Sequence, residues 1–268
     1  MIDEDSFLPS LGVNWFVSDS HQLRLGLSQT VARPDFKEAA NATFYDNEFN
    51  FRVRGNPFLE ISDIINADLR WEWYLSEIDS LSIALFYKDM DKPIERVVQA
   101  ASGTAGNSRT FQNAESAELY GIEVDGRFEF MLGDGYDQTL FVSFNAALIE
   151  SEVTANNQDA RALQGQPEYT ANLIFGYDNI SAGHQLTILL NQNGRSIADV
   201  GVSGQPDVFL EPRLDLNIVY RFDISESVTL KAKLENLLDD EVEYSQGGQI
   251  FQIYNRGASV QLGVDWLF

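Results

Sequence analysis

The amino-acid sequence predicts an all-β fold, namely an antiparallel, up-and-down portion of a transmembrane β-barrel with about eleven strands. Three observations predict this fold class. Hydrophobic residues recur at every second position in eleven segments, the links between these segments are alternately short and long, and aromatic residues concentrate just before the short links. The first observation also fits a soluble β-sandwich, which buries one face of each sheet. The other two favour the barrel.

Each predicted strand has a period of two, with one apolar and one polar face. In residues 62–75, for example, Trp71 and Trp73 alternate with Arg70 and Glu72. Each segment is long enough for the roughly 9–11 residues that a tilted strand needs to cross a bilayer. The predicted strands are residues 7–17, 21–31, 62–75, 80–91, 114–130, 138–150, 168–178, 184–193, 210–222, 227–236 and 257–268.

The links after odd-numbered strands are short, and the links after even-numbered strands are long. Residues 18–20 separate the first two strands, whereas residues 32–61 separate the second strand from the third, and this order holds to the last strand. Outer-membrane barrels have short periplasmic turns and long external loops. Because a Greek-key sandwich has no reason to keep such an order, the links favour a membrane barrel.

Aromatic residues on the apolar faces lie just before the short links and at the end of the chain. Amphipathic rings are most favourable at the level of the lipid headgroups, so we expect these residues to form a girdle at one membrane interface. The last strand takes part, because two of the aromatic residues share its apolar face. The predicted girdle consists of Trp15, Trp71, Trp73, Phe128, Phe130, Phe175, Tyr177, Tyr220, Phe222, Trp266 and Phe268.

The composition taken alone describes an acidic soluble protein. The chain has 268 residues, a formal net charge of -23, no cysteine, and no apolar run near the roughly 18 residues of a transmembrane helix. The absence of cysteine excludes disulfides, thiolate metal sites and cysteine nucleophiles, and the acidity argues against nucleic-acid binding. The hydropathy of a barrel strand is the average over an apolar lipid face and a polar lumen face. The same composition therefore fits a membrane barrel whose charges lie in the lumen and the loops.

Six short motifs, in order along the chain, resemble those of TonB-dependent outer-membrane receptors. In the first, Ser28, Thr30 and Arg33 fit the S-x-T-x-A-R-P exit of a family strand. The last, WLF at residues 266–268, resembles the family's terminal insertion signal. The motifs between them are GNPFL at residues 55–59, ALFYKDM at 84–90, ELYGIEV at 118–124 and ENLLDDE at 235–241.

The resemblance implies a barrel of about 22 strands with an N-terminal plug domain, preceded by a TonB box that takes energy from an inner-membrane complex. The sequence shows neither, so we expect residues 1–268 to form the C-terminal part of the receptor barrel, without a plug domain. The expected location is the outer membrane of a Gram-negative cell. The expected partners are membrane lipid, the remaining barrel strands and plug of a full-length receptor, and TonB only through the absent N-terminal part.

In the complete receptor, the resemblance implies TonB-dependent uptake of a scarce nutrient. Two alternatives stay open: a self-contained pore or autotransporter-type export barrel of about twelve strands, and a soluble carbohydrate-binding β-sandwich. The autotransporter version needs a helix in the lumen before the first strand, and the residues ahead of Phe7 are too few for it. The first residues also show no secretory signal, which fits a cytoplasmic protein or a piece of a longer chain.

One long loop, residues 33–60, combines arginines with aromatic side chains, a mixture suited to holding a polar ligand. Packing of the loop upon itself would use the same residue types. The ligand-binding candidates are Arg33, Phe44, Tyr45, Arg52 and Arg54, with Phe49 and Phe51 beside them.

The sequence predicts neither an enzyme nor a cofactor. His21 and His184 each follow a short link, without a catalytic motif beside them, which is typical of rim histidines. The acidic residues near position 240 could hold a divalent cation with oxygen ligands or form a solvated loop. These acidic residues are Asp239, Asp240, Glu241 and Glu243.

Overall fold

The computed structural model describes residues 5–47, 51–100, 107–133, 137–155 and 159–268. No helix in these ranges is long and apolar enough to cross a membrane. In chain order, the elements are β1 (Ser10–Ser18), β2 (His21–Ala32), α1 (Phe36–Ala39), β3 (Thr43–Asp46), β4 (Phe51–Arg54), β5 (Ser62–Tyr74), β6 (Ser80–Asp91), β7 (Ile94–Ala100), β8 (Asn107–Asn113), β9 (Ser116–Leu132), β10 (Gln138–Thr154), β11 (Tyr169–Asn179), β12 (His184–Asn193), β13 (Ser196–Gly201), β14 (Val208–Leu210), β15 (Arg213–Ser225), β16 (Val228–Glu235), β17 (Val242–Gln246), β18 (Gln249–Tyr254) and β19 (Ser259–Trp266).

Eleven of these strands form one sheet, called here the main sheet. Its order is β1-β2-β5-β6-β9-β10-β11-β12-β15-β16-β19, and every neighbouring pair is antiparallel. These are the eleven strands that the period of two predicts, with ends that differ by a few residues. The predicted antiparallel, up-and-down, all-β fold is therefore confirmed.

The links within the main sheet alternate in length as predicted. The links after β1, β5, β9, β11 and β15 are two to five residues long, whereas those after β2, β6, β10, β12 and β16 are 14 to 29 residues long. Because the strands are antiparallel, all short links lie at one end of the main sheet and all long links lie at the other.

One face of the main sheet is apolar and exposed. The register aligns Leu25 with Leu69, Leu69 with Leu85, Leu85 with Ile122, and Ile122 with Leu148, which makes one row across five strands. All five side chains are exposed, Leu148 to 64%. A β-sandwich would bury such a row against a second sheet, whereas a membrane barrel turns it toward lipid.

The long links build a second sheet, called here the loop sheet, for which the sequence predicted only loops. Eight strands from four links lie in the order β18-β17-β14-β13-β7-β8-β4-β3. Two pairs, β4 with β8 and β7 with β13, are parallel, and each joins strands from different links. The loop sheet therefore ties the long links to one another.

The buried hydrophobic residues lie at the long-link end of the molecule. Val97 and Val98 are neighbours on β7, and both are fully buried, so the loop sheet is covered on both faces there. Val97 packs in a cluster with Val200 of β13. A second cluster contains Leu119 and Val153, near the ends of β9 and β10. The second cluster also includes Leu163, so it packs the long link after β10 against the ends of the main strands.

Candidate ligand-binding surface on the loop sheet

The hairpin of β3 and β4 presents two arginines and a tyrosine on one exposed face. Its register places Tyr45 opposite Arg52 and Thr43 opposite Arg54, and directly opposed residues of antiparallel strands share a face. Tyr45, Arg52 and Arg54 are all exposed. Neither arginine forms an ion pair with another residue in the described ranges. We call Tyr45, Arg52 and Arg54 the hairpin face.

The other predicted ligand contacts lie away from the hairpin face. Phe44 is half-buried on the opposite face of the hairpin, beside Val53 in register. Arg33 follows the end of β2, where its Nη2 atom lies 3.5 Å from Ser6 Oγ. Phe49 lies outside the described residues. Ligand contact by any of the predicted residues stays a prediction.

Beneath the hairpin, a buried group of charges joins three of the long links. Arg109 Nη2 lies 2.5 Å from Asp199 Oδ2, and its Nη1 lies 3.2 Å from Asp46 Oδ2. Arg96 binds the other carboxylate oxygen of Asp199. The Arg109 guanidinium also lies 4.2 Å from the ring centre of Phe51. Because these residues belong to β3, β4, β7, β8 and β13, the charges hold the loop sheet together.

Burial sets the electrostatics of this group. The side chains of Arg109 and Asp199 are both fully buried. Burial lowers the pKa of the Arg109 guanidinium, while the Asp199 carboxylate opposes that shift. An arginine does not give up its proton in a protein, so the buried charge needs its carboxylate partner at all ordinary pH values.

A second buried pair attaches residues 155–168, the one long link that contributes no strand to the loop sheet in the described ranges. Arg161 binds the Glu95 carboxylate with both terminal nitrogens, at 2.7 and 2.5 Å. Glu95 lies on β7, and its side chain is fully buried. The amide of Gln164 also bonds to the backbone of Arg96, donating to its carbonyl and accepting from its N–H. All five long links are thus assembled into one structure.

The polar face of the main sheet carries a hydrogen-bonded row across β5, β6, β9, β10 and β11. Arg70 donates to Ser82 Oγ at 2.6 Å and to Asp125 Oδ2 at 2.9 Å. Asn145 donates to Asp125 Oδ1 at 2.7 Å, and Asn172 donates to Asn145 at 3.5 Å. These residues line a cavity of about 360 Å³. The row gives the sheet a polar wall opposite its apolar face.

The predicted girdle residues lie toward the short-link end of the main sheet. Trp15 and Trp266, on its two edge strands, are 62% and 71% exposed. Trp71 and Trp73 are half-buried because they stack with a histidine of the neighbouring strand. The other girdle residues at this end are Phe128, Phe130, Phe175, Tyr177, Tyr220, Phe222 and Phe268. Their contact with a membrane stays a prediction.

The acidic residues near position 240 do not gather as a cation site. In the described ranges, the structure places no group of three or more His, Asp or Glu side chains where they could hold a metal ion. The Asp240 carboxylate instead accepts a hydrogen bond from the backbone N–H of Leu214 at 2.8 Å. Asp239 adopts a positive φ of 51°. These two acidic residues thus shape the link and the start of β15.

Comparison with known proteins identifies the family. A family model described as "TonB dependent receptor-like, beta-barrel" matches residues 2–237. The chain belongs to the TonB-dependent receptor β-barrel family. It is an outer-membrane protein, as predicted. Outer-membrane barrels have short periplasmic turns and long external loops, so we expect the loop sheet on the extracellular side.

Three relatives illustrate how far the likeness extends. The chain is 25% identical over 226 residues to an iron-regulated outer membrane virulence protein of Vibrio cholerae, covering 81% of this chain and 32% of the relative. It superimposes with a TM-score of 0.64 and 18% identity on the siderophore receptor PirA of Acinetobacter baumannii, covering 97% and 41% of the two chains. A variant of the ferric enterobactin receptor PfeA of Pseudomonas aeruginosa gives a TM-score of 0.61 and 17% identity, covering 97% and 40%.

This chain spans less than half the length of each of these three relatives. The structural likeness extends over nearly all of this chain, so it includes both the main sheet and the long links. The family match also favours a receptor barrel over an autotransporter-type pore or a soluble sandwich.

Proposed function

We propose that this chain is the C-terminal part of the barrel of an outer-membrane receptor that takes up a scarce metal chelate. The observation that carries the proposal is the exposed arginine–tyrosine face that the loop sheet holds, in a molecule whose main sheet has one polar face. The names of the relatives support the substrate class, since they describe a siderophore receptor, a ferric enterobactin receptor and an iron-regulated protein.

The hairpin face has the chemistry to bind a negatively charged chelate. Arg52 and Arg54 place positive charge on the surface of a chain whose formal net charge is -23. Guanidinium groups donate several hydrogen bonds in a fixed planar arrangement, which suits the oxygen atoms of an anionic ligand. Tyr45 adds an aromatic ring and a hydroxyl beside them. Since the loop sheet is assembled by buried ion pairs, these groups are positioned before a ligand arrives.

In this proposal, the direction of the two edge strands of the main sheet limits which strands can complete the barrel. Both β1 and β19 run toward the short-link end, because an up-and-down sheet of eleven strands begins and ends in the same direction. A second copy in the same membrane orientation would meet these edges with parallel strands, whereas barrels of this class are antiparallel throughout. The completing sheet therefore has an odd number of strands, and both of its edges run toward the long-link end.

The rest of a full-length receptor fits this requirement. In this proposal, it supplies the remaining barrel strands and a plug domain inside the barrel, and TonB acts through that N-terminal part. Outer-membrane lipid surrounds the apolar face. Pairing along both edges would also remove the exposed backbone donors and acceptors that an open sheet presents.

The hairpin face is tested by removing its two positive charges within a full-length receptor that contains this chain. The variant Arg52→Gln with Arg54→Gln is expected to bind the ferric siderophore that supports growth under iron limitation at least about tenfold more weakly, because charge-assisted hydrogen bonds contribute about 1.5–3 kcal/mol each. The measurement is binding of the radiolabelled ferric siderophore to whole cells.

The matched control is Lys37→Gln, which removes one exposed positive charge from α1 in the same long link. Its binding is expected to equal that of the unmodified receptor. Equal binding by the double variant would contradict the proposed role of the hairpin face.

A further inference from the structure

Both histidines of the chain stack on two aromatic residues of a neighbouring strand. His21 is the first residue of β2, and its ring lies 5.6 Å from the ring centre of Trp71 and 5.7 Å from that of Trp73, with interplanar angles of 12° and 22°. The two tryptophans are two residues apart on β5, so they share one face of the strand. The histidine ring is held nearly parallel to both.

The second histidine repeats this arrangement further along the main sheet. His184 is the first residue of β12, and its ring lies 4.4 Å from that of Phe222 and 6.0 Å from that of Tyr220, at 13° and 19°. The two aromatic residues are again two apart, on β15. His184 Nδ1 also lies 2.7 Å from the hydroxyl oxygen of Tyr220.

The register gives the position of both histidines along the strands of the main sheet. His21 is opposite Trp73, and His184 is opposite Phe222, so both lie on the apolar face immediately after a short link. The short links face the periplasm, and aromatic girdles lie at the level of the headgroups. Each imidazole therefore lies among the predicted girdle residues, which we expect at the periplasmic leaflet.

The surroundings of each Nδ1 atom determine where the proton of the neutral ring sits. His21 Nδ1 is buried and has no hydrogen-bond partner among the described residues. A buried N–H group without an acceptor is costly, so the proton belongs on Nε2. At His184 the Tyr220 hydroxyl can donate to Nδ1, which gives the same tautomer. In the described ranges, neither Nε2 atom has a hydrogen-bond partner within the protein.

We propose that His21 and His184 each donate their Nε2–H to a phosphodiester oxygen of a phospholipid headgroup in the periplasmic leaflet. Phosphodiester oxygens are strong acceptors because they are charged, and the stacked rings hold each donor in place. The proposal depends on membrane seating by the main sheet and not on the identity of the transported nutrient.

The test is solid-state NMR of the full chain, labelled with ¹⁵N-histidine, in bilayers of phosphatidylethanolamine and phosphatidylglycerol. Only two histidines contribute signals, and His21→Gln assigns them. The expected result is the Nε2–H tautomer at both residues, with dephasing of both Nε2 signals by lipid ³¹P. The Nδ1–H tautomer, or the absence of ³¹P dephasing at both residues, would overturn the proposal.

Two further arms distinguish a lipid headgroup from free phosphate and test the role of the Tyr220 hydroxyl. In phosphorus-free glycolipid bilayers with inorganic phosphate in the buffer, no dephasing is expected; dephasing there would show a site for free phosphate instead. The variant Tyr220→Phe removes the hydroxyl that holds His184 in its tautomer. We expect the ³¹P contact to weaken at His184 and to be unchanged at His21, which serves as the internal control. Equal loss at both residues would contradict a local donor role.

Discussion

At Asp199, two arginines from other parts of the chain meet one fully buried carboxylate. Asp199 and Arg109 belong to different long links, and nothing in the local pattern marks either residue as a partner of the other. The sequence could group Tyr45, Arg52 and Arg54 as candidates because they lie in one loop, and their contact with a ligand stays a prediction. The separation of Phe44 from them follows from strand alternation, which places Phe44 beside Val53 on the covered side.

Replacing Asp199 with Asn tests whether the buried charges hold the loop sheet. The change leaves Arg109 charged and buried without its closest carboxylate. Removing one partner of a buried ion pair destabilises a protein by about 3–5 kcal/mol. We expect faster hydrogen exchange of backbone amides in β7 and β13, measured by mass spectrometry.

The control for this variant is Glu60→Gln, which weakens the exposed ion pair between Glu60 and Lys92. Exposed pairs contribute little, so exchange in β7 and β13 should not change. If Asp199→Asn exchanged no faster than this control, the ion pairs would not be what holds the loop sheet.

At the scale of elements, the main strands could be predicted because each has one apolar and one polar face over at least eight residues. The loop sheet could not, for two physical reasons. Its strands are three to seven residues long, and the central strand β7 is covered on both faces, so Val97 and Val98 are both apolar and show no alternation. Its parallel pairs also join separate links, which no local signal specifies.

The two faces of β2 are expected to respond differently to an added charge. Leu25 is exposed on the apolar face, and Ser28 lies on the polar face. Because arginine at the bilayer midplane on the lipid face costs about 2–4 kcal/mol, Leu25→Arg should reduce the fraction of protein inserted in outer-membrane preparations. Ser28→Arg should leave this fraction nearly unchanged. Equal loss in both variants would be inconsistent with a lipid-facing Leu25.

At the scale of the whole molecule, one sheet serves two environments and one loop assembly covers its outer end. The exposed row from Leu25 to Leu148 suits lipid, the row from Arg70 to Asn172 suits a hydrated lumen, and the loop sheet carries the hairpin face outside. The acidity and the lack of a long apolar run, which suggest a soluble protein, follow from this division. In the proposed receptor, further strands pair with the two sheet edges at β1 and β19 and close the barrel.

The central claim is that the main sheet spans the outer membrane with its apolar face in lipid. The most direct measurement is a scan of nitroxide labels along β2 in bilayers. Each label is attached to a single introduced cysteine, and the chain has no native cysteine that would be labelled as well. Labels at positions 23, 25 and 27 should be relaxed mainly by oxygen, which partitions into lipid. Labels at positions 24, 26 and 28 should be relaxed mainly by a water-soluble nickel chelate. Uniform access of the nickel chelate at all six positions would contradict the membrane-spanning assignment.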